Sequence, residues 1–184
     1  MRQQLSKMKK ITGEKLRDFI LGAQDGIVNV LGLVLGVAAA TFNTEIVLVS
    51  GIAGLVAESI SMGAVAYTSS KAAHDYFKVK KEKKEENVYK NPAGIALFVF
   101  LATIFGSIIP VIPFFLMPVK EGIFASVALC GLVLFAIGMI KGKLTTDGWK
   151  SGFEMLIIGL VAALAGYFIV LILGNIIKVP IIIP

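Results

Sequence analysis

Apolar residues along this chain do not alternate with polar ones; they come in long unbroken runs. Five runs stand out: Phe19–Phe42, Ile46–Ser70, Ala93–Met117, Gly122–Ile140 and Gly152–Ile177. Each is close to or above the roughly 20 residues that carry a helix across the hydrocarbon of a bilayer. Inside lipid a backbone must satisfy its own hydrogen bonds, so runs of this length predict helices. The pattern therefore predicts an all-α membrane protein with five transmembrane helices.

The polar stretches between the runs define the rest of the organisation. Residues 1–18, "MRQQLSKMKKITGEKLRD", are basic and mildly amphipathic. They predict a cytoplasmic helix on the membrane surface with Leu5, Met8 and Ile11 toward lipid. Residues 19–177 form the five-span domain. Within it, residues 71–91 form a cytoplasmic linker between spans two and three, read as a solvated helical extension of span two with mixed charge. Pro92 closes the linker and opens span three. Pro110, Pro113 and Pro118 sit toward the outer end of span three, where proline kinks a helix and frees backbone carbonyls.

Charge fixes an expected orientation. Six basic residues precede span one, seven lie between Lys71 and Lys90, and three (Lys141, Lys143, Lys150) lie between spans four and five. The opposite side holds only Lys120 and Lys178. By the positive-inside rule the N-terminus is cytoplasmic and the C-terminus outside.

Composition agrees with the runs. The 184 residues are 57% hydrophobic and 16% charged, with mean hydropathy +0.85, where a soluble domain carries about a quarter charged residues. Cys130 is the only cysteine, so no intrachain disulfide forms, and it reads as a small core residue. His74 is the only histidine, which excludes a multi-histidine metal site in one chain. The sequence has no Ser-His or Cys-His pairing, no H-E-x-x-H and no Gly-rich phosphate loop, so an enzyme is not expected, and no cofactor is called for. The basic N-terminus reads as a membrane-surface segment; nucleic acid is not an expected partner.

Three acids fall in or near the spans: Asp25, Glu58 and Glu154. An ionisable group at membrane depth is costly and faces a cavity or a partner. Glu154 lies near the cytoplasmic end of span five, where it reaches the interface. In "LGAQDGIVNVLGLVLG", Asp25, Asn29, Gly32 and Gly36 share one helical face, while Gly22, Gly26, Gly32 and Gly36 make two small-xxx-small pairs suited to close helix approach. On span two, Met62 stands one turn from Glu58, and Ala66 and Ser69 continue that face. A hard carboxylate beside a soft thioether suits a borderline ion such as Fe²⁺ better than Mg²⁺ or Ca²⁺, which take oxygen. The candidate metal-binding residues are Asp25, Asn29, Glu58 and Met62.

These motifs resemble the vacuolar iron transporter family. The D-G motif of span one, "ESISMGAVAYTSSKAAHDYF" at the end of span two, "IPVIPFF", "GMIKGKLT" and "GFEMLIIGLVAALAGY" resemble its spans in order, over about residues 17–175. The resemblance implies a five-span homodimer, its ion path between subunits and lined by spans one and two. It implies export of Fe²⁺, in some members Mn²⁺, from the cytosol in exchange for protons. The family's translocating Asp and Met correspond to Asp25 and Met62. Its further glutamate falls at Gly54 here, and Glu58, one turn nearer Met62, is the only acid nearby. The long glutamate-rich insertion of eukaryotic members is replaced by the lysine-rich 71–91. That compact form resembles a prokaryotic member and implies the cell membrane as location.

The expected mechanism follows from symmetry. Two copies would gather four carboxylates and two thioethers about a twofold axis. An empty cluster of that kind would hold protons, which an arriving Fe²⁺ would displace. Two alternatives stay open: a transporter of another divalent metal such as Mn²⁺ or Zn²⁺, and a non-transporting membrane scaffold.

Overall fold

A computed structural model describes residues 2–145 and 147–177, with side chains described over 13–144, 147–170 and 172. Within the described residues the chain is helical throughout. The helices are α1 (Arg2–Thr41), α2 (Thr44–Val79), α3 (Lys83–Glu86), α4 (Pro92–Ile108), α5 (Ile112–Leu116), α6 (Val119–Thr145) and α7 (Gly148–Ile177), with a 3₁₀ turn at Asn87–Tyr89. Four of them, α1, α2, α6 and α7, are long and apolar enough to cross a membrane. The count becomes five if α4 and the preceding Lys83–Tyr89 segment, which meet at a bend of 48°, make one span.

Local sequence sets the helix starts. Phe42 takes a positive φ of 48°, which turns the chain sharply after α1. Asn43 then caps α2 by accepting from the Ile46 N–H at 3.1 Å. Asn91 caps α4 in the same way through Gly94, with Pro92 in the first turn, where its missing N–H costs nothing. Asp147 accepts from the Trp149 N–H and starts α7.

α1 is the hub and packs against α2, α4, α6 and α7. One side carries Ile27, Leu31 and Leu35 into a core with Cys130 and Leu134 of α6 and Met155 and Ala163 of α7. Another side carries Val30, Val34 and Ala38 into a second core with Val47, Val111, Phe114 and Val119. Lipid tails offer no hydrophobic drive between helices, so close contact must come from shape. The glycines supply it in two seats. A Cβ on Gly22 would lie 2.7 Å from the Val99 carbonyl of α4, and one on Gly26 would lie 2.6 Å from Ser107 Oγ. Gly36 instead faces Val170 of α7, and Gly32 is the residue against which Gly166 of α7 rests. So Gly22 and Gly26 seat α4, while Gly36 of α1 and Gly166 of α7 let α7 approach.

The third run is not one helix. It breaks between Ile108 and Ile112 and resumes as the short α5. Pro110 and Pro113 lie at and just beyond the break and cannot donate to the helical ladder. The freed Pro110 carbonyl is capped by Ser126 Oγ of α6 at 2.8 Å, in a fully buried bond.

At the other end of the bundle α2 does extend as a helix through the linker as far as Val79. The chain then turns at Lys81 (φ 58°) and folds back. Tyr89 stacks on Phe77 with ring centroids 6.1 Å apart, and His74 Nε2 lies 3.8 Å from Glu86. The linker is therefore partly packed on its own helix. α1 runs from Arg2 without a break into the first span; the directions of Leu5, Met8 and Ile11 lie outside the described side chains.

Candidate functional site

α1 and α2 are antiparallel, and three contacts fix their register. Asn29 faces Glu58, Leu33 covers Gly54, and Val34 lies on Gly51. Each turn toward the C-terminus of α1 thus meets a turn toward the N-terminus of α2. The same register sets Asp25, one turn before Asn29, level with Met62, one turn after Glu58.

The polar groups join across this seam. Asn29 Nδ2 donates to Glu58 Oε1 at 3.0 Å. The Asp25 carboxyl interacts with both Glu58 and Asn29. Asp25, Glu58 and Met62 are half-buried and Asn29 is exposed. The four candidates therefore share one strip rather than being scattered, and Glu58 lies near the middle of the Ile46–Ser70 run. The strip is open because α1 is covered on its other sides. Its neighbours Leu21 and Leu33 are 48% and 40% exposed, and α2 adds exposed Val49, Ile52, Val56, Ile60 and Val65. Two acids and one thioether cannot replace a cation's hydration shell. Among the described residues, no three His, Cys, Asp or Glu side chains come together as a metal site.

The other acids sort differently. Glu154 pairs with Lys141 across α6 and α7 at 3.5 Å and is well exposed, as expected for a residue reaching the interface. Gly54 is closed off by the Leu33 side chain, so Glu58 is the acid that reaches the polar strip of α1. On the continuation of the Met62 face Ala66 is buried and Ser69 is exposed, and Ser70 is a buried hydroxyl beside it.

Asp18 escaped the sequence reading. It is 6% exposed and lies two turns before Asp25 on the same helical face, with Arg17 Nη2 donating to it at 2.8 Å. The spacing 18, 22, 25, 29 was its signal, masked by its place in a segment rich in charge. Ser107 is a further polar group without an obvious sequence signal: its hydroxyl is buried against Gly26 and, like that of Ser151, has no hydrogen-bond partner among the described residues.

Fold and site together define a class: a multi-span helical membrane protein with an acid-amide-thioether cluster on an open strip between its first two helices. The chain belongs to the VIT family, whose model matches residues 16–96 and 85–171. It is 28% identical to an uncharacterized protein of Methanocaldococcus jannaschii over 86% of this chain and 91% of that one. It is 25% identical to vacuolar iron transporter 1 of Arabidopsis thaliana over 84% of each chain. It is 31% identical to vacuolar iron transporter homolog 1 of Oryza sativa subsp. japonica, over 86% of this chain and 74% of the relative.

Proposed function

We propose that this protein is a metal-ion transporter that exports Fe²⁺, and Mn²⁺ as a second ion, from the cytoplasm across the cell membrane in exchange for protons. Relatives named vacuolar iron transporter support a metal cargo. The observation that carries the reading is the hydrogen bond from Asn29 to Glu58, which aligns Glu58 with Asp25 on the one open strip of α1. Carboxylates at membrane depth are retained for a cation or a proton, because replacing them with apolar residues would otherwise be favourable.

The strip is half of a site. A second copy about a twofold axis would cover the exposed apolar face of α2 and bring a second Asp25, Glu58 and Met62 opposite the first. Oxygen and sulfur together then match a borderline ion better than Mg²⁺ or Ca²⁺. When the cation leaves, the same carboxylates take protons. Loading metal and loading protons become mutually exclusive, which is exchange. Glu58 does in this chain what a glutamate at position 54, where Leu33 now lies, would otherwise do.

The test is flux in proteoliposomes with an imposed pH gradient. Asp25→Asn keeps shape and removes one carboxylate per copy. It is expected to reduce gradient-driven Fe²⁺ flux by about 100-fold or more, several kcal/mol of lost cation binding, while the protein elutes and melts as a folded species. Normal flux in Asp25→Asn overturns the proposal.

A further inference from the structure

We infer that Asn29 is a selectivity residue that acts as a placeholder for the cation: its amide N–H holds the Glu58 carboxyl beside Asp25 and must turn away before a cation can bind between the two acids. This rests on the reading of the strip as a cation path, and it assigns to Asn29 a role that binding alone does not.

An asparagine amide carries two N–H donors on one nitrogen and an acceptor oxygen on the other arm of the same plane. One N–H is committed to Glu58 Oε1 at 3.0 Å. The neighbouring carboxyl of Asp25, one turn away on the same helix, interacts with Asn29 as well as with Glu58. An N–H is the arm that suits an ionised carboxylate. Asn29 therefore has its amide nitrogen on Glu58 and its side chain beside Asp25, where a cation would meet the carboxylates. In the single chain it is exposed toward the side where the second copy's acids would stand.

The terminal torsion of asparagine is broad and two-fold. A half-turn withdraws the donors and presents the carbonyl oxygen, a hard neutral ligand. One residue then serves both states: donor to Glu58 without a cation, ligand or bystander with one. The bond to Glu58 also lowers apparent affinity, because a cation must bind the fraction of molecules in which it is broken. That favours release, and it weakens the site most for hard ions that depend on the carboxylate oxygens alone. An aspartate at this position would do the reverse. It offers no donor, adds a third charge, and makes the strip richer in oxygen, which Mg²⁺ accepts.

The plain alternative is that the bond merely ties α1 to α2. The two roles separate in the full-length protein with Asn29→Asp and Asn29→Leu. In liposomes, Asn29→Asp is expected to lower the half-saturating Fe²⁺ concentration about tenfold and the maximal rate by a similar factor, with Mg²⁺ becoming a competitor. Asn29→Leu, which removes donor and acceptor, should keep the Mg²⁺ exclusion and lose maximal rate. Mn²⁺ binding to detergent-solubilised protein, followed by the loss of its free-ion EPR signal, gives a readout independent of flux, with Asn29→Asp binding more tightly than the wild type. Equal Mn²⁺ binding and unchanged Mg²⁺ exclusion in Asn29→Asp overturn the placeholder even if wild-type flux is normal. Tighter Mn²⁺ binding by Asn29→Asp with no wild-type flux overturns the transport proposal and keeps the placeholder. If Asn29→Asp does not fold, Asn29→Leu decides: wild-type rate and Mn²⁺ affinity with only a lower melting temperature reduce Asn29 to a packing residue.

Discussion

Two faces of α1 sit side by side and obey opposite rules. Gly26 points into α4, where its missing Cβ lets the Thr103 carbonyl and the Ser107 hydroxyl approach to within 2.6 Å of where that atom would stand. Asp25, the preceding residue, points to the open strip. One face is closed by removing atoms, and the other is held open with groups that lipid disfavours. Neither makes sense for the other's purpose. A carboxylate on the α4 face would be buried without a partner, and a glycine on the strip would bind nothing. What separates a structural from a functional position here is one residue of helical rotation, about 100°.

The largest effect on stability should come from filling the closed face. Gly26→Ala is expected to cost about 1–3 kcal/mol, the usual range for overpacking a filled interior, because one close neighbour is a backbone carbonyl that cannot swing aside. Gly32→Ala is the matched control, since nothing lies within 4 Å of its Cβ position. It should change stability by about 0.5 kcal/mol or less. Thermal melts of the two variants in one detergent make the comparison. Equal losses would mean that the helix, rather than the α4 seat, sets the glycine requirement.

This contrast also marks what the sequence could tell. The lengths of the apolar runs predicted the helices, and the spacing of Asp25 to Asn29 and of Glu58 to Met62 put each pair on one face of its own helix. The glycines were legible as packing positions, but their partners were not. That Gly26 meets α4 and Gly36 meets α7 is a matter of tertiary placement, which periodicity does not contain. The break at Pro110 was legible as a kink. The Ser126 hydroxyl that caps the freed carbonyl was not, because it comes from 16 residues away on another helix. Asp18 was hidden for a different reason: among charged neighbours a buried acid looks like a solvated one. The bond between Asn29 and Glu58, 29 residues apart, needed the register of α1 against α2, which the short turn at Phe42 and Asn43 sets.

On the open strip a smaller effect should separate sulfur from oxygen. Met62→Leu keeps the volume and the apolar surface, so the fold should lose less than about 1.5 kcal/mol. Removing the thioether should raise the half-saturating concentration for Fe²⁺ several-fold, about 1 kcal/mol of binding, and should affect the harder Mn²⁺ less. Initial rates for both ions in one liposome preparation measure this. An equal change for both would make Met62 a space-filler rather than a ligand.

The smallest effect should come from the acid that resembles the site acids only in name. Glu154 is met by a lysine, Lys141, at 3.5 Å and is exposed. Among the described residues, the partners of Asp25 and Glu58 are an amide and each other. An exposed ion pair gains little, because water already solvates both charges and holding two long side chains costs entropy. Glu154→Gln should therefore shift stability by about 0.5 kcal/mol or less, and that shift should vanish in high salt, where exposed charges are screened. Fe²⁺ flux should be unchanged. A flux defect in Glu154→Gln as deep as that of Asp25→Asn would erase the distinction between the strip and the helix ends, since it would require an acid already neutralised by lysine to act on the cation.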